Sequence, residues 1–225
     1  MPRRPARTAT PPQSGTPARL LEVAARLFHE QGYEATSVAT IAREADVLIG
    51  SLYHFYPSKE ALLLATLQWR LDALRPIVTD PVEAETQDGI ERVFGLLARY
   101  RLGLELTGCR QGCPVGNLAL ELSDDHPAVR ALIDANFANW IGVVAGWLAD
   151  ARAQLPAHTD VDALAAFVLT VMEGGIMLAR ARGNPEPFDQ AVAQLRTHLA
   201  TLTALRTVTA RRTKRATTRT RSRKP

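Results

Sequence analysis

The sequence predicts an all-α fold, and three observations carry that prediction. Apolar residues recur at helical spacing through most of the chain, with no alternating strand pattern longer than a few residues. Alanine and leucine dominate while only 6% of the 225 residues are aromatic, a balance that favours helices over sheets. Clusters of Gly, Pro and Asn then cut the periodic segments into about nine or ten helices, enough chain for one or two cores.

Residues 1–16 are rich in Pro, Thr, Arg and Ala without periodicity and read as a disordered basic arm. A helix is expected from Pro17, with Leu20, Ala24, Leu27 and Phe28 along one side. Gly32 is expected to end it in the left-handed position, with Tyr33 folding back on the last turn. Val38, Ile41, Ala42 and Ala45 then form a narrow apolar stripe on a short second helix, capped by Thr36 or Ser37. Asp46 and Val47 break the pattern. The next segment, Ile49 to Tyr56, has Leu52 and Tyr56 one turn apart and leaves Ser51, Tyr53 and His54 facing elsewhere. Pro57 stops it, and Ser58 caps a longer helix running to about Pro76. Helix, short turn, helix over Ser37–Tyr56 is the geometry in which a second helix enters the major groove of DNA.

Residues 77–88 read as a connection, with a helix starting near Val82. Ile90, Val93, Phe94, Leu97, Tyr100 and Leu104 then mark a helix to Leu106. The stretch TGCRQGCPVGN interrupts it, Asn117–Leu122 forms a short helix, and Pro127 starts a long one to about Gln154. Asp160 caps the next, Val161 to Arg182, which Gly183, Asn184 and Pro185 end. A last helix runs from about Pro187 to Leu205, and residues 207–225 are expected to be a disordered basic tail. Gly174-Gly175 inside a helix costs about 1 kcal/mol per residue against Ala, which close helix approach at a subunit interface would explain.

Charge is unevenly placed. Arg3, Arg4 and Arg7 and eight basic residues in 211–225 lie in segments without acids. Without those 11, the remaining 16 basic residues face 23 acidic ones, so residues 8–210 carry a net −7 although the whole chain is +4. The two ends are where a polyanion would find counter-charges, unless they are only solvated extensions. Two cysteines make no disulfide scaffold and point to a reducing, cytoplasmic setting. The longest uncharged, mostly apolar run, Ala135–Ala149, falls short of the roughly 20 residues of a span, so no membrane segment is expected.

The run from Leu20 to Leu64 resembles the N-terminal domain of the tetracycline-repressor (TetR) family of bacterial transcriptional regulators. The resemblance rests on Ala24-x-x-Leu27-Phe28, Gly32-Tyr33, Thr36-Ser37, Ile41-Ala42 and Leu52-Tyr53-His54 followed by Ser58-Lys59-Glu60. It implies a helix-turn-helix domain at 17–63 and a helical effector-binding and dimerisation domain at 64–206. It implies a DNA-binding regulator, not an enzyme: a homodimeric repressor on a palindromic operator, released by a small molecule or a thiol modification. Thr36 and Ser37 would then contact phosphate, Ser51 would face bases, Gly50 and Ser51 would let the helix sit deep in the groove, Tyr53 and His54 would contact phosphate or base edges, and Lys59 would pair with a phosphate. The sequence departs from the family at Asp46, where Gly is usual, and at Leu48 and Ile49, where polar or basic residues are usual. Leu48 and Ile49 either meet thymine methyl groups or pack within the domain.

Gly108-Cys109, Gly112-Cys113-Pro114 and Gly116-Asn117-Leu118-Ala119-x-Glu121-Leu122 are similar to a pattern in a branch of that family that includes electrophile and oxidant sensors. Cys109 and Cys113 are accordingly candidate sensors, with Arg110 as a nearby cation, or else buried small residues. Asn117, Phe137, Trp140, Trp147, Met172, Glu173 and Met177 are candidates to line an effector cavity, although aromatics and Met at helical spacing also build ordinary cores. No cofactor or metal is expected, because no further Cys or His lies at ligand spacing. Two other classes stay in view: a thiol-redox enzyme using Cys109 and Cys113, and a nonspecific DNA-binding protein using its basic ends.

Overall fold

The structure, a computed structural model, describes residues 15–122 and 126–221. Every regular element among them is helical. The helices are α1 (Thr16–Gln31), α2 (Val38–Glu44), α3 (Ile49–Phe55), α4 (Lys59–Ala73), α5 (Asp80–Glu85), α6 (Gly89–Leu106), α7 (Pro114–Glu121), α8 (Pro127–Asp150), α9 (Val161–Arg182) and α10 (Glu186–Arg221). They sort into two compact units, residues up to Arg75 with Gln111–Asn139, and Pro76–Arg110 with the residues from Trp140 onward. The sequence places a domain boundary after residue 63. In the structure α4, α7 and the first half of α8 belong with the N-terminal helices.

In the first unit α1 supplies the largest share of the core, burying Leu20, Leu21, Ala24, Ala25, Leu27 and Phe28. Pro17 lies in its first turn, where a missing N–H costs nothing. Gly32 ends it with a positive φ of 90° but an extended ψ of 165°, so the chain leaves outward and not through the expected left-handed cap. Tyr33 does fold back, its ring 5.5 Å from that of Phe28. Ile41 and Ala42 of α2 with its cap Ala45, and Leu52 of α3 with its cap Tyr56, close over this surface, and the Tyr56 hydroxyl donates to Pro17 O at 3.2 Å. From α8, the Asn136 and Asn139 side-chain amides donate to Leu67 O and Leu71 O of α4.

Asp46, in the turn between α2 and α3, takes φ 52°. Asp tolerates this region better than most residues, yet glycine alone enters it without steric cost. Asp46→Gly should therefore raise stability by about 0.5 kcal/mol after allowing for glycine's looser unfolded state, whereas β-branched Asp46→Val should lower it by about 1–2 kcal/mol. Urea midpoints of the two variants check the opposite signs.

After α4 the connection expected at 77–88 is largely helical: the helix expected near Val82 is α5, starting at Asp80, and only residues 86–88 separate it from α6. A π-helical turn, Leu74–Thr79, carries α4 directly into α5. Pro76 lacks an N–H and would clash with the carbonyl four residues back, and a wider turn absorbs that interruption without breaking the helix. Pro81 falls in the first turn of α5. The short helix expected from Asn117 begins earlier, at Pro114, with Cys113 as its cap.

The second unit is built on α6 and α9, with α10 packed along α9. Met172 and Ile176 of α9 and Phe188, Leu195 and Leu199 of α10 are buried. Gly175 explains itself here: an added Cβ would lie 3.0 Å from Phe188 Cδ2 and 3.3 Å from Phe188 Cα. The close approach it permits is therefore within the chain, against α10, and no subunit interface is needed to explain it. The α10 backbone continues as helix to Arg221, past the Leu205 end read from sequence, over a stretch with neither Gly nor Pro. α8 and α9 are long and apolar enough to cross a membrane by length and composition alone, with mean hydropathies of 1.2 and 1.8. α9 buries one side among α6 and α10, as a core helix does. The arm with Arg3, Arg4 and Arg7 lies outside the described residues.

Candidate nucleic-acid interface

The α2–turn–α3 unit is held from below by its apolar side and leaves a polar side free. Ser37 caps α2, its hydroxyl accepting from Thr40 N at 3.0 Å and pairing with Thr40 Oγ1 at 2.9 Å. Thr36, the alternative cap and an expected phosphate contact, is buried instead. Its hydroxyl donates to Gly32 O at 2.7 Å and Leu27 O at 3.3 Å, which fixes the loop leaving α1. Of the two adjacent hydroxyls only Ser37 is exposed. Thr40, a partner the sequence reading missed, stands three residues after a capping serine, where that spacing signals it.

α3 starts at Leu48 without a side-chain cap. Leu48 is 81% exposed, Ile49 48% and Tyr53 47%, so the two apolar residues do not pack within the domain. His54 is exposed and Ser51 half-buried, and a Cβ at Gly50 would meet nothing within 4 Å. Ile49 and Tyr53, one turn apart, share the exposed face, with Gly50 and His54 beside them. Buried Leu52 anchors the opposite side. At the start of α4, Ser58 accepts from Ala61 N at 3.0 Å. Lys59 rests 4.1 Å above the Tyr33 ring and donates to Glu34 O at 3.4 Å, half-buried at the edge of the same surface. Glu44 is neutralised from behind by Arg26, which also reaches Glu30.

A groove-sized helix with an open glycine, exposed methyl-bearing side chains and flanking hydroxyl, phenol, imidazole and ammonium donors fits the edge of a DNA duplex. Residues 20–66 match the sequence profile described as bacterial regulatory proteins, tetR family, and residues 89–195 match that of the tetracyclin repressor-like C-terminal domain. The transcriptional regulator LmrA of Bacillus subtilis is 30% identical over 175 residues, 75% of this chain and 88% of that one. The chain belongs to the tetracycline-repressor family of transcriptional regulators. The repressor DhaR of Mycobacterium sp. strain GP1 is 29% identical over 179 residues, 78% of this chain and 88% of its own. Among solved structures, the regulatory protein TetR from Rhodobacter sphaeroides superposes with a TM-score of 0.72 at 26% identity, over 80% of this chain and 96% of that one.

In this TetR-family chain the residues expected to sense an effector are shared between the two units. Cys113, Asn117 and Phe137 belong to the unit of the N-terminal helices, and Cys109, Trp140, Trp147, Met172, Glu173 and Met177 to the other. Both cysteines are buried and neither is in a disulfide. Cys109 sits at a positive φ of 57°, and Cys113 Sγ accepts from Gly116 N at 3.3 Å as the cap of α7. Trp147 is committed, donating from Nε1 to Glu83 at 2.9 Å. Met172 is buried, while Met177 is 54% exposed and faces away from that core. Trp140 is 4% exposed, and its indole N–H has no hydrogen-bond partner among the described residues.

Proposed function

We propose that this regulator acts as a homodimeric repressor reading a palindromic operator, released by a small-molecule effector or by thiol modification. The observation that carries the reading is the face of α3, where Leu48, Ile49, Gly50, Tyr53 and His54 stand together and exposed above a buried Leu52. On this reading Ser37, Tyr53, His54 and Lys59 hold phosphates and base edges, Gly50 and Ser51 let α3 sit deep, and Leu48 and Ile49 meet thymine methyl groups. Thr36 supports the loop from beneath. The basic residues at the two ends of the chain supply sequence-independent attraction that the net-acidic body lacks.

Dimer formation is supported by half-exposed Met177 and Leu178 on α9, beside a groove lined by Leu178, Ala181, Pro187 and Ala191 between α9 and α10. Two recognition helices related by a two-fold axis fit half-sites about one DNA turn apart. Repression is supported by the name of the relative DhaR, a repressor. An effector site around Trp140 is supported by its buried indole N–H, since such a donor gains most from a polar ligand group.

Selection of bound duplexes from random DNA tests the reading. The expected result is one palindromic motif bound roughly 10³-fold or more above bulk DNA. No preference over bulk DNA would instead favour the nonspecific binder. The thiol route predicts that oxidants release the parent but not the Cys109→Ser, Cys113→Ser variant.

A further inference from the structure

The motif around Cys113 includes Glu121, and the DNA-reading geometry assigns that carboxylate no task. Its surroundings do. Glu121 Oε2 accepts from Tyr33 N at 2.8 Å and Oε1 accepts from Glu34 N at 2.7 Å, across 88 and 87 residues of sequence. These two peptides follow Gly32, where α1 has ended and the chain turns toward α2. Gly32 is required here on two counts. Its φ is 90°, and a Cβ would lie 2.9 Å from Glu121 Oε1.

The same loop is gripped from other sides. Glu34 O accepts from Lys59 at the start of α4, and the Thr36 hydroxyl donates to Gly32 O. Just before the other end of α7, His29 Nε2 lies 2.7 Å from Gly112 O, so the α7 segment is fastened to the last turn of α1 at its start and to the loop after α1 at its end. Three residues beyond Glu34 stands Ser37, the cap of α2. A carboxylate accepting two backbone N–H groups makes charge-assisted bonds, stronger than neutral ones and directional enough to fix a loop.

We infer that Glu121 is a positioning residue for DNA binding: its carboxylate latches α7 onto the Tyr33–Glu34 loop and thereby sets where α2, and the α3 helix packed on it, present themselves. The inference rests on the reading of α3 as the DNA-contacting helix. It gives the G-N-L-A-x-E segment a task in the first unit that needs no thiol chemistry and no ligand. Both N–H groups can find water once the carboxylate is gone, so the fold survives its loss while the loop gains freedom.

The test compares full-length Glu121→Ala, Glu121→Gln and Tyr53→Ala with the parent, on the selected operator and at a temperature where all remain folded. Backbone amide exchange is followed in parallel. Glu121→Ala should weaken operator binding roughly 5- to 30-fold. It should speed exchange at Tyr33 and Glu34 while leaving Leu27, inside α1, as slow as before. Glu121→Gln keeps one acceptor oxygen and should recover part of both effects. Unchanged exchange at Tyr33 and Glu34 would overturn the latch. Faster exchange with unchanged affinity, while Tyr53→Ala does weaken binding, would overturn the positioning role alone. If neither Tyr53→Ala nor Glu121→Ala alters affinity, the reading of α3 and the inference fall together.

Discussion

Gly89→Ala should cost this protein about 3 kcal/mol or more, although it exchanges the least helix-favouring ordinary residue for the most favouring one. Gly89 is the first residue of α6 and is buried against α8. A Cβ there would lie 1.9 Å from Trp147 O and 2.8 Å from Trp147 C. Both are backbone atoms, so no side-chain rotation relieves the overlap and one helix must move. Neither moves freely. Asp88 caps α6 by accepting from Ile90 N and Glu91 N, and the Gln154 amide donates to its other oxygen at 2.7 Å, tying the cap to the turn after α8. The same bonds, the Gln154 amide first, hold the Asp88 carboxyl below its ordinary pKa. A loss of 3 kcal/mol is a large part of a typical 5–15 kcal/mol and should lower Tm by roughly 6–12 °C. Gly103→Ala, on the same helix with nothing within 4 Å of its Cβ, should instead stabilise by about 0.5–1 kcal/mol. Urea midpoints moving the same way in both variants would show that helix propensity, not the α6–α8 contact, governs the site.

Contacts of this kind mark the limit of what residues in a row disclose. The helices were legible because their causes are local: apolar stripes, Pro17 in a first turn, and Ser58 and Asp160 as caps. The helix-turn-helix was legible for the same reason. What escaped was set by partners far away in sequence. Thr36 and Ser37 are chemically alike as neighbours, and only the carbonyls of Leu27 and Gly32 decide which hydroxyl is buried. Gly175 answers to Phe188 while Gly174 has open space around it. Glu121 meets a loop 87 residues away. Met172 and Met177 lie five residues apart on α9, about 140° around a helix, so the period alone places them on different faces. The structure buries the first and exposes the second.

The division of labour proposed for α3 predicts two separable losses in DNA binding. Tyr53 and His54 are exposed donors one and two residues beyond buried Leu52, so removing their polar atoms should leave folding within about 0.5 kcal/mol of the parent. A hydrogen bond to a charged phosphate contributes about 1.5–3 kcal/mol, and a Tyr53→Phe, His54→Ala variant should therefore bind operator about 100-fold or more weakly. Where those partners are phosphates, the loss should be nearly equal for operator and bulk DNA, because phosphates carry no sequence. Leu48 and Ile49 act differently if they meet thymine C5 methyl groups. Replacing operator thymines by uracil removes those methyls and leaves every hydrogen-bonding edge intact. Each methyl group that leaves an apolar contact costs about 0.8 kcal/mol, roughly fourfold in affinity. The parent should thus bind uracil-substituted operator several-fold more weakly. A Leu48→Ala, Ile49→Ala variant should bind both duplexes alike, and Tyr53→Phe, His54→Ala should keep the full thymine preference. A parent indifferent to uracil at every half-site position would remove Leu48 and Ile49 from base readout. Their exposure of 81% and 48% would then need another partner.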